Sequence, residues 1–140
     1  MRTPVPRLAG MVAASLFVAA PAAAQQIYDN WNTSACGFTD VAGFDVSEPT
    51  RLTSVELWYH WRPNESEVGY VLLLDGRPLK RGRLMRAGCD PYQEAWCGAR
   101  GNLGVEVPPG RVDIQVARPR LCQNPQSGGE GFARVFGLPQ

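Results

Sequence analysis

The chain has 140 residues, of which 44% are hydrophobic and 19% are charged, with 14 basic residues, 13 acidic residues and one histidine. This near-neutral balance gives no electrostatic reason to expect a nucleic-acid partner. Fifteen glycines and twelve prolines favour many turns between short strands.

Residues 1–24 have the order of a cleavable signal peptide. Two arginines within the first seven residues precede an apolar stretch from Leu8 to Ala20, and three alanines at 22–24 supply the small residues that cleavage requires. The apolar stretch, roughly 13 residues, is too short to cross a bilayer as a helix. We therefore predict no membrane anchor and a single domain over residues 25–140, located in a periplasm or outside the cell.

The four cysteines all lie in the predicted mature domain, and an even number in an exported chain predicts two disulfides. Three pairings are possible. We favour Cys89–Cys97, because the nine-residue segment CDPYQEAWC can close on itself, which leaves Cys36–Cys122. The sequence lacks a C-x-x-C pair and a second histidine, so we predict neither a metal site nor a cofactor.

The first predicted elements in chain order are two short strands, QQIYD at 25–29 and VAGFDV at 41–46. The segment TRLTSVELWYHW at 50–61 follows, and its alternation predicts a half-buried strand. One face carries Val55, Leu57, Tyr59 and Trp61, and the other carries Ser54, Glu56, Trp58 and His60. The first set is expected to face the core.

The second half of the chain continues this pattern of strands and turns. Residues 68–75 predict a central strand, Asp75-Gly76 a turn, and the basic segment 77–87 an edge-like strand. Further strands are predicted at 103–107, 111–116 and 131–137, and the last of them follows a glycine-rich turn. About seven or eight short strands with turn signals between them predict an all-β fold, an antiparallel β-sandwich.

Two motifs resemble those of a β-sandwich domain found in secreted bacterial proteins of uncharacterised function. Tyr59-His60-Trp61 matches the end of one strand of that domain. The segment that begins at Gln123-Asn124, continues through Ser127-Gly128-Gly129 and reaches Gly131 matches its C-terminal motif. The resemblance implies a jelly-roll-like sandwich and no known activity.

Aromatic residues supply the best candidates for a binding site. Trp58 points away from the predicted core face, and Tyr92 and Trp96 lie in the segment closed by the predicted Cys89–Cys97 bond. Flat rings can stack on the apolar faces of sugars, so Trp58, His60, Tyr92 and Trp96 form a candidate glycan site. Core packing and loop anchoring are the alternative roles for these rings.

No residue pattern predicts catalysis. His60 and Glu56 share a strand face and could form a base–carboxylate pair, but a solvated pair is the ordinary alternative. No G-x-S-x-G motif is present. The basic residues from Arg77 to Arg86 are expected to form a solvated strand edge, with contact to an anionic envelope polymer as the alternative.

The sequence thus predicts an exported, non-catalytic module that binds a glycan through exposed aromatic residues. Two other functions stay open. One is interaction with, or inhibition of, an envelope protein, and the other is a small secreted hydrolase. The oligomeric state is not predicted.

Overall fold

The computed structural model describes residues 2–6, 10, 14 and 23–140, and most of the predicted signal peptide lies outside these ranges. The fold is all-β. Its strands are β1 (Gln25–Asp29), β2 (Gly37–Thr39), β3 (Val41–Val46), β4 (Thr50–His60), β5 (Glu67–Leu74), β6 (Arg77–Cys89), β7 (Trp96–Val107), β8 (Gly110–Val116), β9 (Leu121–Gln123) and β10 (Ala133–Pro139). One turn of 3₁₀ helix covers Pro125–Ser127. Over the described ranges, no helix is long and apolar enough to cross a membrane.

The strands form two antiparallel layers that are joined at one corner. The first layer has the order β1-β10-β4-β7 and the second has the order β6-β5-β8-β3. Strands β6 and β7 connect them through a short pairing that begins at Met85 and ends at Cys89. Eight strands in this order form the jelly-roll arrangement, in which two sheets pack face to face. The predicted sandwich is confirmed. The described residues form ten strands rather than the predicted seven or eight. The two additional strands, β2 and β9, have only three residues each and were not predicted.

The core lies between the two layers and follows the predicted alternation of β4. The side chains at 55, 57, 59 and 61 are at most 1% exposed, and the intervening residues point outward. Strand β8 contributes Val112, Ile114 and Val116 from the opposite layer, each at most 3% exposed. Burial of these apolar surfaces, worth about 25 cal/mol per Å², is the main force that holds the layers together.

The basic strand β6 is an edge only over its first half. Residues 77–84 pair with β5 on one side, and within the described ranges no strand pairs with their other side. Residues 85–89 pair with β7 at the corner between the layers, so the prediction of an edge is wrong there. Charged side chains on this unpaired half of β6 disfavour pairing with a strand of another chain.

Both disulfides form as predicted, Cys89–Cys97 and Cys36–Cys122. Cys89–Cys97 closes the turn between β6 and β7. Cys36–Cys122 joins the segment after β1 to β9, where β2 pairs with β9 and Phe38 lies opposite Cys122. A strand pair of only three residues is marginal by itself, so the covalent bond secures it.

We predict that loss of the Cys36–Cys122 bond destabilises the domain more than loss of Cys89–Cys97. The two bonds span 86 and 8 residues of sequence. The chain-entropy model therefore assigns about 4–5 kcal/mol to the first bond and about 2–3 kcal/mol to the second. Equilibrium denaturation of the two double Cys→Ala variants measures the difference, and equal losses or the reverse order would contradict the prediction.

Candidate functional site

The outer face of β4 places Trp58 and His60 next to β7. His60 lies directly opposite Trp96, and Trp58 lies opposite Gly98. Because Gly98 has no side chain, no β7 group at that position competes with the Trp58 ring for this face. The sheet register thus brings three of the four predicted site residues, Trp58, His60 and Trp96, into one place.

Four aromatic rings form a continuous cluster here, which we call the aromatic row: Trp31, Trp58, Trp96 and Phe38. The Trp58 and Trp96 rings are nearly parallel, with centroids 6.4 Å apart and planes at 12°. Phe38 continues the row at 5.7 Å from Trp96 and 15°. Trp31 lies at the other end, 5.2 Å from Trp58 and tilted by 54°. These centroid separations lie within the range that is favourable for aromatic pairs.

Trp31 is positioned by the turn that follows β1. Its backbone N–H donates to Asp29 Oδ1 at 3.0 Å. The side chain of Asn30 holds the turn against β10, donating to Gly131 O at 3.1 Å and accepting from Ala133 N at 2.7 Å. The guanidinium of Arg134 lies 4.0 Å from the centroid of the Trp31 ring, in a cation–π contact.

Three rings of the aromatic row, those of Trp31, Trp58 and Trp96, line a cleft of about 560 Å³. The other wall of the cleft is the segment 32–36, which two polar contacts attach to the 3₁₀ turn. Asn32 and Asn124 exchange amide hydrogen bonds at 3.1 and 2.7 Å, and Ser34 Oγ donates to Gln126 at 2.9 Å. Asp90 and Gln93 border the cleft on the β6–β7 turn. The cleft therefore combines an aromatic floor with amide and carboxylate groups at its rim.

A larger groove of about 780 Å³ lies on the outer face of the second layer. Its only aromatic lining residue is Tyr70, which is 4% exposed and packs against the position of Gly82. Arg81 and Arg83 border it, and Arg83 is paired with Glu67. Without exposed rings this groove lacks the rigid anchors of the aromatic cleft, which is the better candidate site.

His60 is held by Arg120, whose guanidinium donates to the His60 backbone oxygen at 2.5 Å and lies 2.7 Å from Nδ1. A guanidinium can only donate, so Nδ1 accepts and the proton of the neutral ring belongs on Nε2. Desolvation by burial, and then the positive charge of Arg120, lower the pKa of His60 below its ordinary value of 6.5. The ring packs edge-on against Trp96 at 4.9 Å and Phe38 at 5.8 Å.

The pairing of His60 with Glu56 that the sequence allows is not formed. Glu56 instead accepts a hydrogen bond from Arg100 Nε at 2.6 Å. Four residues along a strand correspond to about 13 Å, beyond hydrogen-bond reach. The two side chains are thus each engaged by a different arginine.

Tyr92 is the predicted site residue that the structure does not bring to the others. It is 94% exposed, and its ring is absent from the lining of the cleft and from the described ring contacts. Asp90 fixes the turn, because its Oδ1 accepts the backbone N–H groups of Tyr92 and Gln93 at 2.8 and 3.2 Å. Gln93 lines the cleft, whereas Tyr92 does not. Whether Tyr92 contacts a ligand stays a prediction.

Sequence reasoning missed Trp31 and Phe38. The signal for Trp31 is Asp29-Asn30 directly after a predicted strand, a pair that favours a side-chain-capped turn. The signal for Phe38 is the predicted Cys36–Cys122 bond, which brings residues near 38 beside those near 122. Among residues 23–140, no group of three or more His, Cys, Asp or Glu side chains is arranged to hold a metal ion.

No protein-family model matches this sequence, and a comparison with curated proteins finds no match. Among solved structures, a β-glucosidase from Paenibacillus barengoltzii is similar with a TM-score of 0.36 and 13% sequence identity. The alignment covers 74% of this chain and 10% of that one. The chain therefore spans about a tenth of the length of this β-glucosidase.

We predict that His60 titrates below 6.5 and is the Nε2–H tautomer when neutral. Because the folded-state pKa is lowered, both states hold neutral imidazole above pH 6.5, and the unfolded chain takes up the proton first as the pH falls. The folded state is therefore destabilised relative to the unfolded chain as the pH falls below 6.5. His60 is the only histidine, so an NMR titration of its ring nitrogens reports it without overlap.

The matched variant is His60→Gln, which keeps an acceptor for Arg120 and does not titrate. Denaturation between about pH 7 and pH 5 is expected to show a greater loss for the wild type than for this variant. A His60 pKa above 6.5, or a proton on Nδ1, would contradict the assignment.

Proposed function

We propose that this domain is an exported, non-catalytic module that binds a glycan on the aromatic row. The observation that carries the proposal is the near-parallel set Trp58, Trp96 and Phe38 on the outside of the sheet, beside an open cleft. Rings fixed in this way lose little conformational freedom when a ligand stacks on them, so their contact area is converted efficiently into affinity.

The length of the row fits a ligand with repeated flat units. Successive ring centroids from Trp31 to Phe38 are 5.2, 6.4 and 5.7 Å apart. More than one sugar ring can therefore contact aromatic surface at the same time. Several weak contacts along one polymer add up to a useful avidity.

The cleft rim supplies the polar contacts that sugar hydroxyls require. Gln93 and Asp90 stand on one side, and Asn32 and Ser34 stand on the other. A few placed polar groups around an apolar floor are typical of small-molecule and carbohydrate sites. The two disulfides support a location in an oxidising compartment, where envelope and extracellular glycans occur.

A non-catalytic role is supported by the engagement of the two candidate acid–base groups. His60 Nδ1 faces a guanidinium and Glu56 is paired with Arg100, so neither is arranged to share a proton with the other. The exposed ring of Phe38, 56% accessible, is the feature that favours the second candidate, interaction with an envelope protein.

We predict that Trp58→Ala and Trp96→Ala each weaken binding to the recognised polysaccharide by at least about tenfold, which corresponds to about 1.4 kcal/mol. Affinity electrophoresis in gels that contain xylan, β-1,3-glucan, hydroxyethyl cellulose, glycol chitin or methyl-esterified pectin identifies that polysaccharide. Truncation of the half-buried Trp58 ring to Ala should lower the free energy of unfolding by only about 1–2 kcal/mol. Truncation of the fully buried Trp61 ring to Ala should lower it by roughly 3–5 kcal/mol.

Met85→Ala is the matched control, because Met85 is 51% exposed on β6 and lies outside the cleft. This variant is expected to bind like the wild type. Failure of the wild type to bind any polysaccharide in the panel would overturn the proposal, and so would undiminished binding by folded Trp58→Ala and Trp96→Ala. Either result would favour the protein-interaction function.

A further inference from the structure

We propose that the end of the aromatic row at His60 and Phe38 binds an acidic group of the glycan, a carboxylate or a sulfate, and that Arg120 is the residue that contacts it. The inference rests on the proposed glycan function and names the class of glycan. It follows from the position of Arg120, from its hydrogen bonds and from the pairing of the neighbouring charges.

Arg120 is fixed at the end of the aromatic row. Its guanidinium uses Nε and one Nη2 hydrogen on His60, and the His60 ring in turn touches both Trp96 and Phe38. A guanidinium carries five N–H donors. Within residues 23–140, the remaining donors of Arg120 have no protein acceptor in hydrogen-bond range. They are therefore available to an anion that arrives beside the rings.

Two other arginines of the first layer are already paired with carboxylates. Arg100 contacts Glu56, and Arg134 lies 3.6 Å from Asp29. Arg120, by contrast, has no carboxylate within 4.0 Å in the described part of the chain. An arginine with free donors is well suited to bind a carboxylate or sulfate through two parallel hydrogen bonds.

The side of the row that faces the cleft has the opposite charge. Asp90 carries the carboxylate there, and its Oδ1 already accepts two backbone N–H groups. This side suits the hydroxyl groups of a neutral sugar and would repel a second anion. An acidic sugar is thus expected to bind in one orientation, with its charged group toward Arg120.

The test compares polygalacturonate with the same polymer after its carboxyl groups have been reduced to alcohols, so that the backbone is kept and the charge is removed. Dextran sulfate and dextran form the corresponding sulfate pair. We expect the wild type to bind the acidic member of at least one pair about tenfold more tightly at low salt. About 0.5 M NaCl should reduce that preference, because salt screens charges at a surface.

Arg120→Gln should abolish the preference for the acidic member of the pair, whereas Arg120→Lys should retain part of that preference. Arg81→Gln is the matched control, since Arg81 is an exposed arginine on β6, in the other layer. Circular dichroism and thermal unfolding confirm that each variant is folded.

Equal affinity of the wild type for the acidic and neutral members of both pairs would overturn this inference and leave the proposed glycan function standing. Equal loss of preference in Arg120→Gln and Arg81→Gln would overturn it as well, because the attraction would then be diffuse. Absence of binding to these polymers and to the neutral polysaccharide panel would overturn the glycan function itself.

Discussion

The register of β4 between β10 and β7 is the constraint on which both the core and the candidate site depend. Tyr59 and Trp61 are buried on one side of the strand. On the other side Trp58 lines the cleft and His60 packs against Trp96 of the aromatic row. Because side chains alternate along a strand, a slip by one residue would expose the two core rings and bury the two site residues. The hydrophobic free energy that selects the register therefore also fixes the geometry of the aromatic row.

The second wall of the cleft depends on local polar and covalent contacts rather than on core burial. The segment between β1 and β2 is joined to the C-terminal part of the chain by the Asn32–Asn124 amide pair and by the Cys36–Cys122 bond. Asn124 is buried and also caps the 3₁₀ turn through Ser127 N at 2.9 Å. These contacts, together with the longer of the two disulfide loops, link the shape of the cleft to the oxidation state of the protein.

The features that sequence could predict are those set by near neighbours in the chain. The alternation of β4 and the short Cys89–Cys97 loop were sufficient to predict a strand, its faces and a disulfide. The 3₁₀ turn at Pro125–Ser127, which was not predicted, depends on a cap from Asn124. Trp31 and Phe38 join the aromatic row through contacts with segments that are distant in sequence, near residues 131 and 122, so alternation along single strands could not place them.

The central claim, that the aromatic row is the ligand surface, is tested most directly by following the four tryptophan indole N–H signals in an NMR titration with an oligosaccharide of the recognised polymer. The account predicts that the signals of Trp58 and Trp96 shift with ligand concentration. The Trp61 signal should stay fixed, because this ring is 1% exposed and its Nε1 donates to Cys97 O at 3.3 Å. Saturable binding with unchanged Trp58 and Trp96 signals would contradict the account.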